Sequence, residues 1–106
     1  MEQEKIPHYV APSTIQSKFA NAIARMADYA WWLMKHRNYV VDLGFVYNDG
    51  ALGGGSLLVK KSLDEVVSDC KAYVEKNAKG GNLRSVYVNG GNGNDRPGIP
   101  VYRVGI

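Results

Sequence analysis

The sequence predicts an α+β fold: a single domain in the order α-β-β-α-β-β, with a four-stranded mixed sheet and two helices packed on one of its faces. Three observations carry this expectation. Two segments place apolar residues at the helical period behind a Ser-x-x-Gln or Ser-x-x-Glu start signal. The segment after the first helix alternates apolar and polar residues with the period of two that a strand requires. At 106 residues the chain has material for one modest core, and two independent units would each be too small to bury one. Each helix has a single apolar stripe, so covering one face of a sheet is the simplest way to bury both.

Residues 1–12 read as an extended N-terminal arm, with a short edge strand around Tyr9 and Val10, because Pro7 and Pro12 keep a helix from starting there. The domain proper is 13–106. Ser13 with Gln16 forms a capping box, and Ile15, Phe19, Ile23, Met26, Ala30 and Leu33 make the stripe of the helix behind it. That helix ends between Lys35 and Asn38, where Lys35, His36 and Arg37 complement the negative end of its dipole. From Tyr39 the period changes, and Tyr39, Val41, Leu43, Phe45 and Tyr47 fall on one face of a strand. Asn48-Asp49-Gly50 turns the chain, and the return strand centres on Leu57 to Lys60 after a bulged or flexible Gly53-Gly54-Gly55.

Ser62 with Glu65 opens a second helix whose stripe is Leu63, Val66, Val67, Cys70, Tyr73 and Val74, and Gly80-Gly81 stops it. Leu83 to Val88 and Val101 to Ile106 supply the third and fourth strands. The polar, glycine-rich connection 89–100 joins them.

Composition narrows the function classes. The chain is 45% hydrophobic and 22% charged, the balance of a folded protein rather than a disordered one. The longest apolar run, Ala30 to Met34, is far short of the roughly 20 residues of a membrane span, and no signal-peptide pattern opens the chain, so the expected location is the cytoplasm. Cys70, the only cysteine, excludes an internal disulfide and a multi-cysteine metal cage. The net charge of +3 is uneven: from Lys76 onward, Lys76, Lys79, Arg84, Arg96 and Arg103 face only Asp95, which suits an anionic partner.

Those charges have a predicted meeting place. If the second strand feeds the second helix through Lys60-Lys61-Ser62, the helix runs back along the sheet and the third strand runs forward again. The connection after the third strand then emerges at the helix N-terminus, where free backbone donors and the positive dipole end attract phosphate or carboxylate. The ligand-binding set so defined is Lys60, Lys61, Ser62, Asn89, Gly90, Gly91, Asn92 and Arg96, with Arg103 as a wall residue. The bland reading of the same residues is a capping serine, two solvated lysines and a flexible connection. A nucleotide P-loop is not expected: Gly55 to Ser62 reads G-S-L-L-V-K-K-S, with Lys60 in place of the second glycine.

Trp31 and Trp32, adjacent on the first helix, widen its apolar side beyond one stripe. One of them is expected to stay partly exposed, alongside Tyr29 and Met34, and this side of the helix to form a subunit interface, in a homodimer or higher homo-oligomer. The bland alternative is one core and one surface tryptophan. His8 and His36 are isolated in sequence, Cys70 sits at a core position, Asp42 lies on a strand's polar face, and no pair of carboxylates is placed together by spacing. No catalytic residue, metal ligand or cofactor is therefore expected, and an enzyme is the least favoured class.

The first expectation is a non-enzymatic binding protein that captures an anionic, nucleotide-like small ligand as a sequestering or sensing module. The second is a protein-binding inhibitor or adaptor acting through an exposed aromatic helix or a sheet edge. The third is single-stranded nucleic-acid binding, through Tyr87, Tyr102, Arg84 and Arg103 on two strands.

Overall fold

Alternation along residues 41–47 decides the architecture, because it gives the central strand one side that must be covered. In a computed structural model of the chain, which describes residues 7–36, 41–53, 57–59, 62–78, 81–90 and 102–106, the covered side is continuous with both helices. The elements are a 3-10 turn (Pro12–Thr14), α1 (Ala20–His36), β1 (Val41–Tyr47), β2 (Leu52–Gly53), β3 (Leu57–Leu58), α2 (Leu63–Asn77), β4 (Leu83–Gly90) and β5 (Tyr102–Gly105). The α-β-β-α-β-β order holds, with the second strand present as two pieces, β2 and β3, that both pair with β1.

The sheet runs β2-β1-β4-β5, with β3 beside β2 on the same flank of β1. Every ladder in it is antiparallel, which corrects the expectation of a mixed sheet. The predicted crossover is nevertheless realised. Both β3 and β4 run antiparallel to β1, so they share a direction, but β1 lies between them. A strand pair joined through a helix has become parallel in direction without being adjacent, and among the described residues no parallel ladder forms.

Val41, Leu43 and Phe45 of β1 are fully buried, as are Val86 and Val88 opposite them on β4. They join one core with Ile23, Met26, Ala30 and Leu33 of α1, Val66, Cys70 and Val74 of α2, and Val104 of β5. Removing side chains of this size from water contributes about 1.5–3 kcal/mol each, and this single cluster holds the two layers together. Val46, on the opposite side of β1, is buried but stands outside that cluster. Both helices therefore lie on one face.

The first helix starts later than the capping signal predicts. Ser13 falls inside the 3-10 turn, Ile15 is extended (φ −106°, ψ 120°), and α1 begins at Ala20. Pro12 supplies the reason: its fixed φ favours a tight turn, closed by the Ile15 N–H donating to the Pro12 carbonyl at 3.0 Å. Ser17 then takes over the local capping role, its hydroxyl oxygen accepting the Phe19 N–H at 3.1 Å. The second capping box forms as predicted. Ser62 Oγ accepts the Glu65 N–H at 3.3 Å, and Glu65 Oε1 accepts the Ser62 N–H at 3.1 Å.

The aromatic side of α1 is more deeply buried than expected. Tyr29 and Met34 are each only 1% exposed, which corrects their placement on a free surface, while Trp31 and Trp32 are half-buried. Tyr29 turns inward because an aromatic partner awaits it on β5. Its ring stacks on Tyr102 with centroids 4.8 Å apart, and on Trp32 at 6.2 Å.

Candidate functional site

Packing both helices on one face leaves the other face of the sheet without a described helix. Strand parity assigns its residues: Asp42, Gly44 and Val46 from β1, Ser85, Tyr87 and Asn89 from β4, and Arg103 and Gly105 from β5. Register arranges them in rows across the strands. Asp42 stands opposite Asn89, Gly44 opposite Tyr87 with Arg103 beyond it, and Val46 opposite Ser85 with Gly105 beyond.

The middle row is the most structured. A Cβ built at Gly44 would overlap ring atoms of Tyr87, so the tyrosine lies across β1 in the space that a side chain at position 44 would fill. The absent side chain is what lets an aromatic ring lie flat at the centre of the face. Arg103 is exposed on the other side of that tyrosine. Asp42 and Asn89, half-buried, form the next row, and burial raises the Asp42 carboxyl from its ordinary value. An aromatic platform, a guanidinium and a row of amide and carboxyl groups thus share one surface.

The predicted ligand set divides on this frame. Asn89 and Arg103 lie on the open face together. Gly90 ends β4 opposite Val41, and Val41 pairs on its other side with Leu58, so the chain leading into α2 and the chain leaving β4 do meet at one end of the sheet. Ser62 is committed to its own helix: besides capping Glu65, its hydroxyl donates to Glu65 Oε1 at 3.0 Å. Asp64 and Glu65 already face the positive dipole end there. Lys60, Lys61, Gly91, Asn92 and Arg96 lie outside the described residues.

Of the residues considered for nucleic acid, Tyr87 and Arg103 share the open face. Tyr102 faces the core against Tyr29, and Arg84 is exposed next to the register shift that separates Val46 from Tyr47. Cys70 is a core thiol, and burial, with Asp69 adding to it, pushes its pKa up to about 12. His36 is the last residue of α1.

One grouping has no sequence signal at all. His8, isolated in sequence, lies with Nδ1 3.3 Å from Oδ2 of Asp28 on α1. The Tyr9 and Val10 N–H groups donate to the other oxygen of the same carboxylate at 2.9 and 3.0 Å. Twenty positions separate the imidazole from its partner, and only the fold of the arm onto the helix joins them. Among the described residues, no group of three or more His, Cys, Asp or Glu side chains is placed to hold a metal ion, and no helix is long and apolar enough to cross a membrane. Comparison of the chain with protein-family models, with curated proteins and with solved structures found no match.

Proposed function

We propose that the protein binds an anionic, nucleotide-like small ligand on the open face of its sheet and performs no chemistry on it, as a sequestering or sensing module. The observation that carries this reading is the row Gly44–Tyr87–Arg103. A ring seated over a glycine offers a flat surface on which a planar base stacks, and the neighbouring guanidinium suits a phosphate. Asn89 and Asp42, one row along, are hydrogen-bonding groups for the edge of a base or a sugar. Compared with the prediction from sequence, the site moves from the helix N-terminus, where Ser62 is already engaged, to the sheet surface that Asn89 and Arg103 share.

Calorimetric titration with nucleoside monophosphates and cyclic nucleotides, beside inorganic phosphate as control, tests it. The expected result is a saturable phase given by the base-bearing ligands and absent with inorganic phosphate. Tyr87→Ala weakens it by roughly tenfold, the scale of one base–aromatic stack, and Arg103→Ala weakens it for every phosphate-bearing ligand. No saturable binding by any member of the panel overturns the proposal.

A second reading, a protein-binding inhibitor or adaptor, is supported by the edge of the sheet. Leu52 on β2 is 71% exposed and Val59, just beyond β3, is 55% exposed. In both readings, self-association through α1 rests on Trp31 and Trp32, which are half-buried. Loss of a captured partner on Leu52→Lys, with the fold intact, separates it from the ligand reading.

A further inference from the structure

The arm and α1 enclose a cleft that is separate from the sheet face. It measures about 480 Å³ and is lined by His8, Tyr9 and Val10 of the arm and by Asn21, Arg25 and Asp28 of the helix, among others. Asn21, Arg25 and Asp28 are spaced four and three residues apart, so they form one stripe along α1 facing the arm.

The carboxylate in this cleft is buried and fully engaged. The Asp28 side chain is 4% exposed, Oδ1 accepts two backbone N–H groups, and Oδ2 faces the His8 ring. Its charge is therefore spent on holding the arm and orienting the imidazole. With Nδ1–H donating to the carboxylate, Nε2 is the nitrogen left over, on a side chain that is 79% exposed. Arg25 and Asn21 are exposed as well. Among the described residues, no acidic residue other than Asp28 lines the cleft. What it presents to solvent is an imidazole, a guanidinium and an amide.

We propose that this cleft is a binding site for a phosphate monoester group, gripped by Arg25 with His8 and Asn21 as supporting donors. A guanidinium matches two oxygens of a tetrahedral anion at once. The imidazole, held by its buried carboxylate, contributes a pre-oriented third donor when protonated, at little further entropic cost. Asp28 is a positioning residue here, since it acts through His8 and the arm. The site is independent of the sheet-face proposal, because it shares no residue with it.

Two-dimensional amide NMR of the full chain, titrated with inorganic phosphate at constant ionic strength against a chloride control, tests the proposal. Expected are saturable shifts concentrated at Tyr9, Val10, Ala24 and Arg25, at least tenfold weaker affinity in Arg25→Ala, and weakened affinity in His8→Ala. The sheet-face reading is scored by nucleotide affinity in Tyr87→Ala and this one by inorganic-phosphate affinity in Arg25→Ala, which keeps failure here distinguishable from failure of the nucleotide reading. A parallel arm uses vesicles containing phosphatidic acid: co-sedimentation that Arg25→Ala abolishes, without saturation by free phosphate, assigns the same chemistry to a lipid head group. Shifts that follow chloride as well as phosphate, or binding by both probes that is indifferent to Arg25→Ala, overturn it.

Discussion

Replacing Gly44 by alanine tests whether the Tyr87 ring lies where the site requires it. A glycine inside a strand costs about 0.5–1 kcal/mol relative to alanine, so on backbone grounds alone Gly44→Ala stabilises the fold by that amount. In this protein the new methyl group would occupy the space of the Tyr87 ring, so the ring must swing away from β1. Overpacking of this kind typically costs about 1–3 kcal/mol, and it outweighs the backbone gain. The net expectation for Gly44→Ala is a loss of about 1 kcal/mol. In a Tyr87→Ala background the obstacle is gone, and the same substitution is expected to stabilise by about 0.5–1 kcal/mol. Urea denaturation of the four proteins of the cycle measures the coupling, expected near 2 kcal/mol with a reversal of sign. For a chain of this size each kcal/mol also moves the melting temperature by roughly 4–8 °C. Additive effects within about 0.3 kcal/mol would falsify the placement of the ring, and with it the aromatic platform.

Other consequences are equally direct. Asp28→Ala leaves the N–H groups of Tyr9 and Val10 without their acceptor and is expected to cost about 2 kcal/mol, limited by release of the arm into water; early proteolysis before Pro12 checks it, and wild-type protection would refute it. Ser62→Ala removes the cap of α2 and should cost about 1 kcal/mol in denaturant titration. The Cys70 thiol should resist an aromatic disulfide reagent in the native state at mildly alkaline pH. Because folding raises its pKa from 9.0 to about 12, the stability it contributes is complete below 9.0 and declines as pH climbs toward 12, which an alkaline unfolding series against Cys70→Ala would show. Asp42 is raised as well, so the folded state disfavours its ionised form and the stability tied to its neutral form is lost as pH rises through 3.8. Asp42→Asn should therefore be stabilising at neutral pH relative to acid pH, because it abolishes the loss of stability that sets in as pH rises through 3.8.

Much of the fold was legible because period and capping act locally. Val41, Leu43 and Phe45 needed only alternation to be assigned inward, and Ser62 with Glu65 needed only their spacing. The Ser13–Gln16 signal misled because Pro12 closes a 3-10 turn across it, a competition that spacing alone does not resolve. Tyr29 was misassigned because its burial depends on Tyr102, a partner at the far end of the chain. The mixed sheet was a natural inference from the β3-α2-β4 crossover, and what it missed was the insertion of β1 between the two strands. The candidate sites follow the same rule. Asn89 and Arg103 were found by charge and polarity, but their shared face is a matter of register, and the approach of His8 to Asp28 leaves no trace in local sequence.

The pairing of β1 with β4 also has a kinetic meaning. It is the longest ladder of the sheet, from Val41 opposite Gly90 to Tyr47 opposite Leu83, and the whole of β2, β3 and α2 lies between its two strands. Neither strand can find the other by a simple hairpin. The ordering entropy of that intervening segment must be met before the ladder begins to compensate it, so the barrier to folding lies late and the chain should fold slowly for its length. Until β4 arrives, β1 exposes Val41, Leu43 and Phe45 along an unpaired edge, and that interval is when the protein is most open to association with other copies of itself.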